Sequence, residues 1–188
     1  MLKPFMRAAA AALPLLALLA GSCNSPARYV TVDGTMLGTT MHVVADVGPS
    51  ARQELYRAAM RLDAEAKASM SIFDSTSLLS RLNRNLTDSV DRHIAFNLAL
   101  ADSIGRLSGG RYDVTVKPLV EAWGFAGRER TLHPNLDSLL AFVGRDKVRI
   151  VDGRLVKSDP RVQFDFNSVA KGYTVDLLAQ LVEQLLSL

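Results

Sequence analysis

Phe164-Asp165-Phe166-Asn167-Ser168-Val169-Ala170-Lys171-Gly172-Tyr173-Thr174-Val175-Asp176 carries more information than any other stretch of the chain. Its start belongs to an apolar run, Val162 to Phe166, that reads as a short strand, and Ser168 onward reads as a helix. Asn167 and Ser168 are both good N-cap residues, because a short side-chain acceptor takes up one of the amide hydrogens that a helix leaves unpaired at its start. The first free amides of such a helix attract anions, and a pyrophosphate is a natural occupant. Gly172 in the first turn costs about 1 kcal/mol of helix propensity against alanine. A closely approaching ligand is one reason to keep it. Many strand-to-helix junctions share this pattern without holding a ligand, so the segment alone leaves the function open.

Upstream, Val148 to Val151, Asp152-Gly153 and Leu155 to Lys157 read as a tight hairpin, because Asp-Gly supplies the positive φ angles that such turns need. Asp91 is placed to cap a helix running to about Leu107, with Ile94, Leu98, Ala101 and Ile104 on one face and Gly109-Gly110 ending it. Pro49-Ser50 opens an amphipathic helix to about Ala68, with Leu55, Ala58, Ala59, Leu62 and Ala66 at helical spacing. Ser69 to Thr76 reads as irregular, being rich in side chains that compete for backbone hydrogen bonds. Two strand-like runs, Tyr29 to Val32 and Thr39 to Val47, are separated by Asp33-Gly34 and Gly38 and suggest a hairpin. Val175 to Leu188 keeps helical periodicity to the last residue, with no capping glycine, basic last turn or following proline, and so reads as a helix cut short. Several hairpins mixed with helices favour an α+β fold over a regular βαβ array.

With 188 residues and 48% hydrophobic content the chain supports one domain with a real core. Lys3 and Arg7, an apolar stretch from Ala8 to Ala20 and then Gly21-Ser22-Cys23 have the order of a signal peptide over residues 1–22. The apolar stretch is shorter than the roughly 20 residues of a membrane-spanning helix, the competing reading. Leu18-Leu19-Ala20-Gly21-Ser22-Cys23 resembles a bacterial lipobox, in which Cys23 is lipidated and becomes the first mature residue; a plain secretory signal with a leftover thiol is the alternative. Cys23 is the one cysteine, which excludes an internal disulfide and an intrachain cysteine cluster. Residues 23–28 read as a tether and 29–188 as the folded part. The net charge of +3 owes two charges to Lys3 and Arg7, so the mature domain is nearly neutral and has no footprint for nucleic acid.

Four ordered blocks resemble the ApbE flavin transferase family. Gly34-Thr35-Met36-Leu37-Gly38-Thr39-Thr40 is similar to the family's Met-Gly-Thr entry strand. Met70-Ser71-Ile72-Phe73 followed by Ser77-Leu78-Leu79-Ser80-Arg81-Leu82-Asn83 resembles its Met-Ser-x-Tyr and Ser-x-Leu-x-Arg-Leu-Asn block, with Phe in place of Tyr. The run from Gly110 to Val120, with Trp123-Gly124-Phe125 after it, and the segment around Ala170-Lys171-Gly172-Tyr173 complete the set. The resemblance implies a T-fold-like α+β domain, a mixed sheet with flanking helices, of which this chain is the N-terminal part. It implies FAD contacts at Leu37, Phe73, Arg111, Tyr112, Asp113, Asn167 and Tyr173, and magnesium bound to the Ala170 backbone carbonyl. On residues alone a core position is the better reading of Phe73 and Tyr112, while Asp113 fits a turn and Asn167 a helix cap. Asn83 reads as structural, Trp123, Gly124 and Phe125 as packing around the site. His42, His93 and His133 have no ligand-like spacing.

The reaction so implied is Mg²⁺-dependent transfer of FMN from FAD to a Ser or Thr hydroxyl of a target flavoprotein, releasing AMP. The partner would be a flavoprotein of a membrane redox complex of the Rnf or Nqr kind. The enzyme would be exported and lipid-anchored to the bacterial cell membrane on its periplasmic side. The family's remaining metal ligands and a His-bearing loop belong to a C-terminal half absent from this sequence, so catalytic side chains are expected there. The 188 residues alone are accordingly expected to show weak or no transferase activity. An FAD pyrophosphatase giving FMN and AMP, and a non-catalytic FAD-binding lipoprotein, are the competing readings.

Overall fold

The computed structural model describes residues 29–125 and 128–186, so the signal, lipobox and Cys23 readings lie outside the described residues. Strands β1 (Val30–Met36) and β2 (Thr39–Ala45) form an antiparallel hairpin. A single 3-10 turn, Pro49–Ala51, leads into helix α1 (Arg52–Met70). Helices α2 (Leu78–Asn83), α3 (Arg92–Leu107), α4 (Lys117–Ala122) and α5 (Leu136–Leu140) follow. A second antiparallel hairpin, β3 (Val148–Val151) with β4 (Arg154–Lys157), precedes the long helix α6 (Ala170–Leu186). Among the described residues the strands pair as these two separate hairpins.

Of the two glycine sites between the strand-like runs, Gly38 rather than Asp33-Gly34 marks the turn of the first hairpin. β1 runs through both residues, with Gly34 opposite Met41, and the chain reverses at Leu37-Gly38, where both φ angles are positive at 49° and 74°. That pair of angles is the type I′ turn that fits the twist of two-residue hairpins. Gly34 serves a different need: a Cβ there would sit 3.2 Å from Met41 Cε and 3.6 Å from the Tyr56 ring, so its bareness lets α1 approach the sheet. The second hairpin turns at Asp152-Gly153 with φ of 48° and 73°, as its sequence indicates.

α3 starts and stops where its caps dictate. Asp91 accepts from the Ile94 amide at 2.8 Å, and at the other end the Gly110 amide returns to the Gly105 carbonyl and that of Gly109 to Arg106. Those two bonds satisfy carbonyls that the last turn would otherwise leave open. Ile94 and Ala101 are buried while Leu98 and Ile104 pack against the same core.

Two apolar clusters organise the rest. One joins the first hairpin to α1 and α6 through Val30, Val32, Met36, Leu55, Ala59, Leu62 and Leu178. The larger one gathers Met70, Leu79, Leu82, Ile94, Val114, Leu155, Val162, Phe164, Phe166 and Tyr173. Leu37 packs against both. Val162, Phe164 and Phe166 alternate inward and are essentially fully buried, and truncating either phenylalanine to alanine costs about 3–5 kcal/mol in such a setting. Their segment is extended but is not a strand: beside residues 114–116 it makes one parallel bridge, Val116 with Gln163, and the Asp165 amide donates to the Val114 carbonyl at 2.8 Å.

Candidate functional site

Three of the sequence blocks converge on one structural unit. Asn83, buried at the end of α2, donates from Nδ2 to the Phe164 carbonyl at 2.9 Å and accepts from the Phe164 amide at 2.7 Å through Oδ1. This two-bond clamp ties α2 to the extended segment, the structural role expected of Asn83. The same segment lies along residues 114–116 through the bonds already described, and Tyr112 Oη meets Ser168 Oγ at 2.9 Å just before α6. Segments far apart in sequence are thus held at fixed register by backbone and buried amide bonds, which a low-dielectric interior makes costly to break.

Two of these blocks, with Gln163 just before the third, contribute to the wall of one cleft of about 390 Å³. Ile72, Phe73, Ser80, Asn83 and Arg84 come from the α1–α2 region, Lys117, Glu121 and Arg128 from α4 and its sequel, and Gln163 from the extended segment. Phe73 is 71% exposed, so its ring is offered to solvent rather than spent on the core. Ser71 Oγ accepts from the Phe73 and Asp74 amides, both at 3.1 Å, and Asp74 takes the Thr76 amide and hydroxyl at 2.7 Å. The Thr76 hydroxyl and amide hold the Asp74 carboxyl below its ordinary range. These local bonds shape the loop that presents the ring.

The lining also carries cations. Lys117 is held between the Glu121 carboxylate and Gln163 Oε1, the latter at 3.4 Å, and Arg128 Nε lies 3.5 Å from Glu121. Arg84 donates from Nε to the Ser80 carbonyl at 3.2 Å and from its terminal nitrogen to the Ser75 carbonyl. Three cations against one carboxylate leave the lining electropositive, which suits a phosphate-bearing ligand with a planar ring. The sequence reading missed Lys117, Glu121, Arg84 and Gln163. The i,i+4 spacing of Lys117 and Glu121 on α4 was the available signal, and it looks the same on any solvated helix.

The other expected contacts are distributed around this unit. Asp113 accepts from the Thr115 amide at 2.8 Å and its hydroxyl at 2.6 Å, a local turn, and lines a different groove of about 310 Å³ between α3 and β3 with Asp102 and Arg145. Arg111 is exposed. Asn167 is exposed and gives its amide to Asp165 Oδ1 at 2.8 Å. α6 begins at Ala170, two residues later than expected, and the Val169 and Ala170 amides both go to the Phe166 carbonyl at 3.0 and 2.8 Å. Three amides expected to face a ligand are therefore already spent on the preceding turn. The Ala170 carbonyl accepts from Thr174 Oγ1 at 2.7 Å.

Tyr173 is buried, with its hydroxyl 2.9 Å from His93 Nδ1 and its ring stacked 4.8 Å from that of Phe96. Burial raises the phenol's pKa, Arg92 pulls it back and Asp91 adds to the rise. His93 is thus a satisfied core histidine and His42 a surface one paired with Asp33 at 2.6 Å. Trp123 and Phe125, read as packing around the site, are both exposed, with the Arg130 guanidinium 5.2 Å over the Trp123 ring.

The model of the ApbE family matches residues 37–186. A FAD:protein FMN transferase from Haemophilus influenzae is 31% identical, over 90% of this chain and 54% of that protein. Another from Vibrio cholerae is 32% identical, over 92% of this chain and 54% of that one. Among solved structures, the flavin transferase ApbE from Vibrio cholerae superposes with a TM-score of 0.77 at 29% identity, over 85% of this chain and 54% of that one. The apo flavinyl transferase ApbE from Pseudomonas stutzeri gives 0.77 at 26% identity, over 84% of this chain and 52% of that one. The chain spans about half the length of the curated relatives it matches.

Proposed function

The chain belongs to the ApbE family, and on that premise we propose that it forms the FAD-binding part of an FMN transferase. The reaction is attack of a Ser or Thr hydroxyl of a target flavoprotein on the FMN phosphorus of FAD. A phosphoester bond to the target forms, the bond to the bridging diphosphate oxygen breaks, AMP leaves with that oxygen, and the hydroxyl proton is released. The observation that carries this reading is the cleft walled by three separate segments, two of them within family blocks, with the open face of Phe73 and the cations Arg84, Lys117 and Arg128 in its lining.

Those residues divide the work of binding. Phe73 supplies a flat apolar face on which a flavin or adenine ring stacks, and replacing the family's Tyr loses one hydrogen bond at most, about 1 kcal/mol. The cations offset phosphate charge, most effectively for Lys117, whose side chain is 12% exposed and so less screened by water.

Magnesium is part of the proposed reaction as a counter-charge to the diphosphate. It prefers six oxygen ligands. Among the described residues no three His, Cys, Asp or Glu side chains gather to hold a metal, and the Ala170 carbonyl is already engaged with Thr174. These residues do not make a magnesium site by themselves, so the chemistry assigned to them stops at binding and orienting FAD. Lipidation at Cys23, a periplasmic location and a membrane redox complex as the source of the target complete the proposal.

The test incubates the chain with FAD, Mg²⁺ and a target flavoprotein domain, then follows covalent flavin by in-gel fluorescence and AMP by chromatography. FMN ester on the target supports the transferase reading. FMN and AMP formed without target support a pyrophosphatase, and bound FAD without AMP is the outcome expected of the FAD-binding part alone. Failure to retain any FAD refutes the proposal.

A further inference from the structure

We infer that Lys157, which lies outside the cleft, is a positioning residue for a cation inside it: by fixing the last turn of α2 it sets where the Arg84 guanidinium stands. The inference deepens the functional reading above and rests on it for the ligand that Arg84 meets.

Arg84 differs from the other two cations in the lining. Lys117 and Arg128 share the Glu121 carboxylate. Among the described residues the Arg84 guanidinium is met by two backbone carbonyls, that of Ser80 at 3.2 Å and that of Ser75, and by no carboxylate. Those bonds orient it, leave its charge uncancelled and leave further N–H donors for a phosphate, the anion that a guanidinium binds most strongly in such a fixed geometry.

The backbone under Arg84 is held as firmly. Arg84 closes α2, and the turn after it is a Schellman cap: the Leu86 amide returns to the Arg81 carbonyl at 2.9 Å and the Asn85 amide to that of Leu82 at 3.1 Å, with Asn85 in the left-handed region at a φ of 57°. Asparagine enters that region more readily than most residues. Lys157 ties this turn from the far side. Its Nζ donates to the Leu82 carbonyl at 2.7 Å and to Asn85 Oδ1 at 3.1 Å, on either side of Arg84 in sequence, and lies 5.5 Å over the Phe164 ring. Asn85 Nδ2 carries the tie on to the Pro160 carbonyl at 2.9 Å. Lys157 lines a separate groove of about 440 Å³ with Asn85, Leu155 and Pro160, so it does not touch what the cleft holds. Its influence there passes through the turn that carries Arg84.

The experiment compares the unmodified chain with Lys157→Met, Lys157→Arg, Arg84→Met and the Lys157→Met/Arg84→Met double variant. It reads FAD affinity by fluorescence titration and, without ligand, hydrogen exchange of the Arg84 Nε–H by NMR. Lys157→Met is expected to speed that exchange and weaken FAD binding, each by about fivefold, and Arg84→Met to weaken binding by about tenfold. Lys157→Arg keeps donors for both acceptors, with the groove to take its greater bulk, and is expected to stay within about twofold of the unmodified chain. Because the effect runs through Arg84, Lys157→Met is expected to add less than about twofold to the loss in Arg84→Met, where a general loosening of the fold would add about fivefold again. Where Lys157→Met fails to fold, Asn85→Gly, which suits the left-handed backbone and removes the side-chain acceptor, takes its place. Unchanged Arg84 exchange in Lys157→Met, or an additive loss in the double variant, overturns the positioning role. An unmodified chain that binds no FAD refutes the functional reading instead, while the Arg84 exchange still decides whether Lys157 positions it.

Discussion

Replacing Asn83 by alanine is the most informative single perturbation of the scaffold under the cleft. Asn83 is 4% exposed and spends both ends of its amide on one residue, donating to the Phe164 carbonyl and accepting from the Phe164 amide. Alanine removes two hydrogen bonds worth about 1 kcal/mol each and strands two buried backbone groups whose desolvation costs about 1–3 kcal/mol apiece. Water entering from the cleft, which Asn83 partly lines, recovers some of that cost. The expected loss is about 3 kcal/mol, a large part of the 5–15 kcal/mol that holds a typical domain together. At about 2–4 °C per kcal/mol for a chain of this size, the melting temperature falls by roughly 6–12 °C. Urea denaturation followed by far-UV circular dichroism measures it. Asn83→Asp is expected to be worse than alanine, because its second oxygen meets the Phe164 carbonyl and its charge is buried. A loss below about 1 kcal/mol for Asn83→Ala refutes the reasoning.

Phe73→Ala is expected to leave the denaturation midpoint within about 0.5 kcal/mol, since the ring is mostly exposed, while weakening FAD binding about fivefold through lost stacking; fluorescence titration and a urea curve on the same sample check both. Lys157 donates to the Leu82 carbonyl at 2.7 Å and to Asn85 Oδ1 at 3.1 Å, and burial lowers its pKa from 10.5 to about 8. Between those two values the unfolded chain binds more protons than the folded one, so stability rises with pH across that window and is lowest below it. Urea midpoints measured across the window should show that rise, and Lys157→Met should flatten it. Gly124→Ala, at a φ of 84° and with its new Cβ 2.9 Å from the Arg130 side chain, is expected to lower the melting temperature by several degrees in a thermal scan.

Local rules carried much of the fold. The caps of α3 and the Asp-Gly turn of the second hairpin are determined by residues within a few positions of one another, so the sequence reveals them. The first hairpin turns at Gly38 rather than Asp33-Gly34 because tertiary packing wants a bare position under α1 at Gly34, and because Asp63, 26 residues away, stabilises the turn at Leu37. No local reading of Asp33-Gly34 contains that information. The same limit hid the site. Phe73 and Asn83 stood out through their family block, but Lys117, Arg84 and Gln163 acquire meaning only once the extended segment is seen running beside α4. The helix start at Ala170 moved because the Phe166 carbonyl captures two amides, a contact that capping propensity at Asn167 does not anticipate.

The central claim is that three separated segments of the chain wall a single FAD cleft. Hydrogen exchange read by mass spectrometry on the chain with and without saturating FAD tests it most directly. The account predicts slowed exchange in residues 71–84, 111–121 and 163–168 together, with β3 and β4 unchanged. Protection confined to the groove between α3 and β3, or no protection at all, contradicts it.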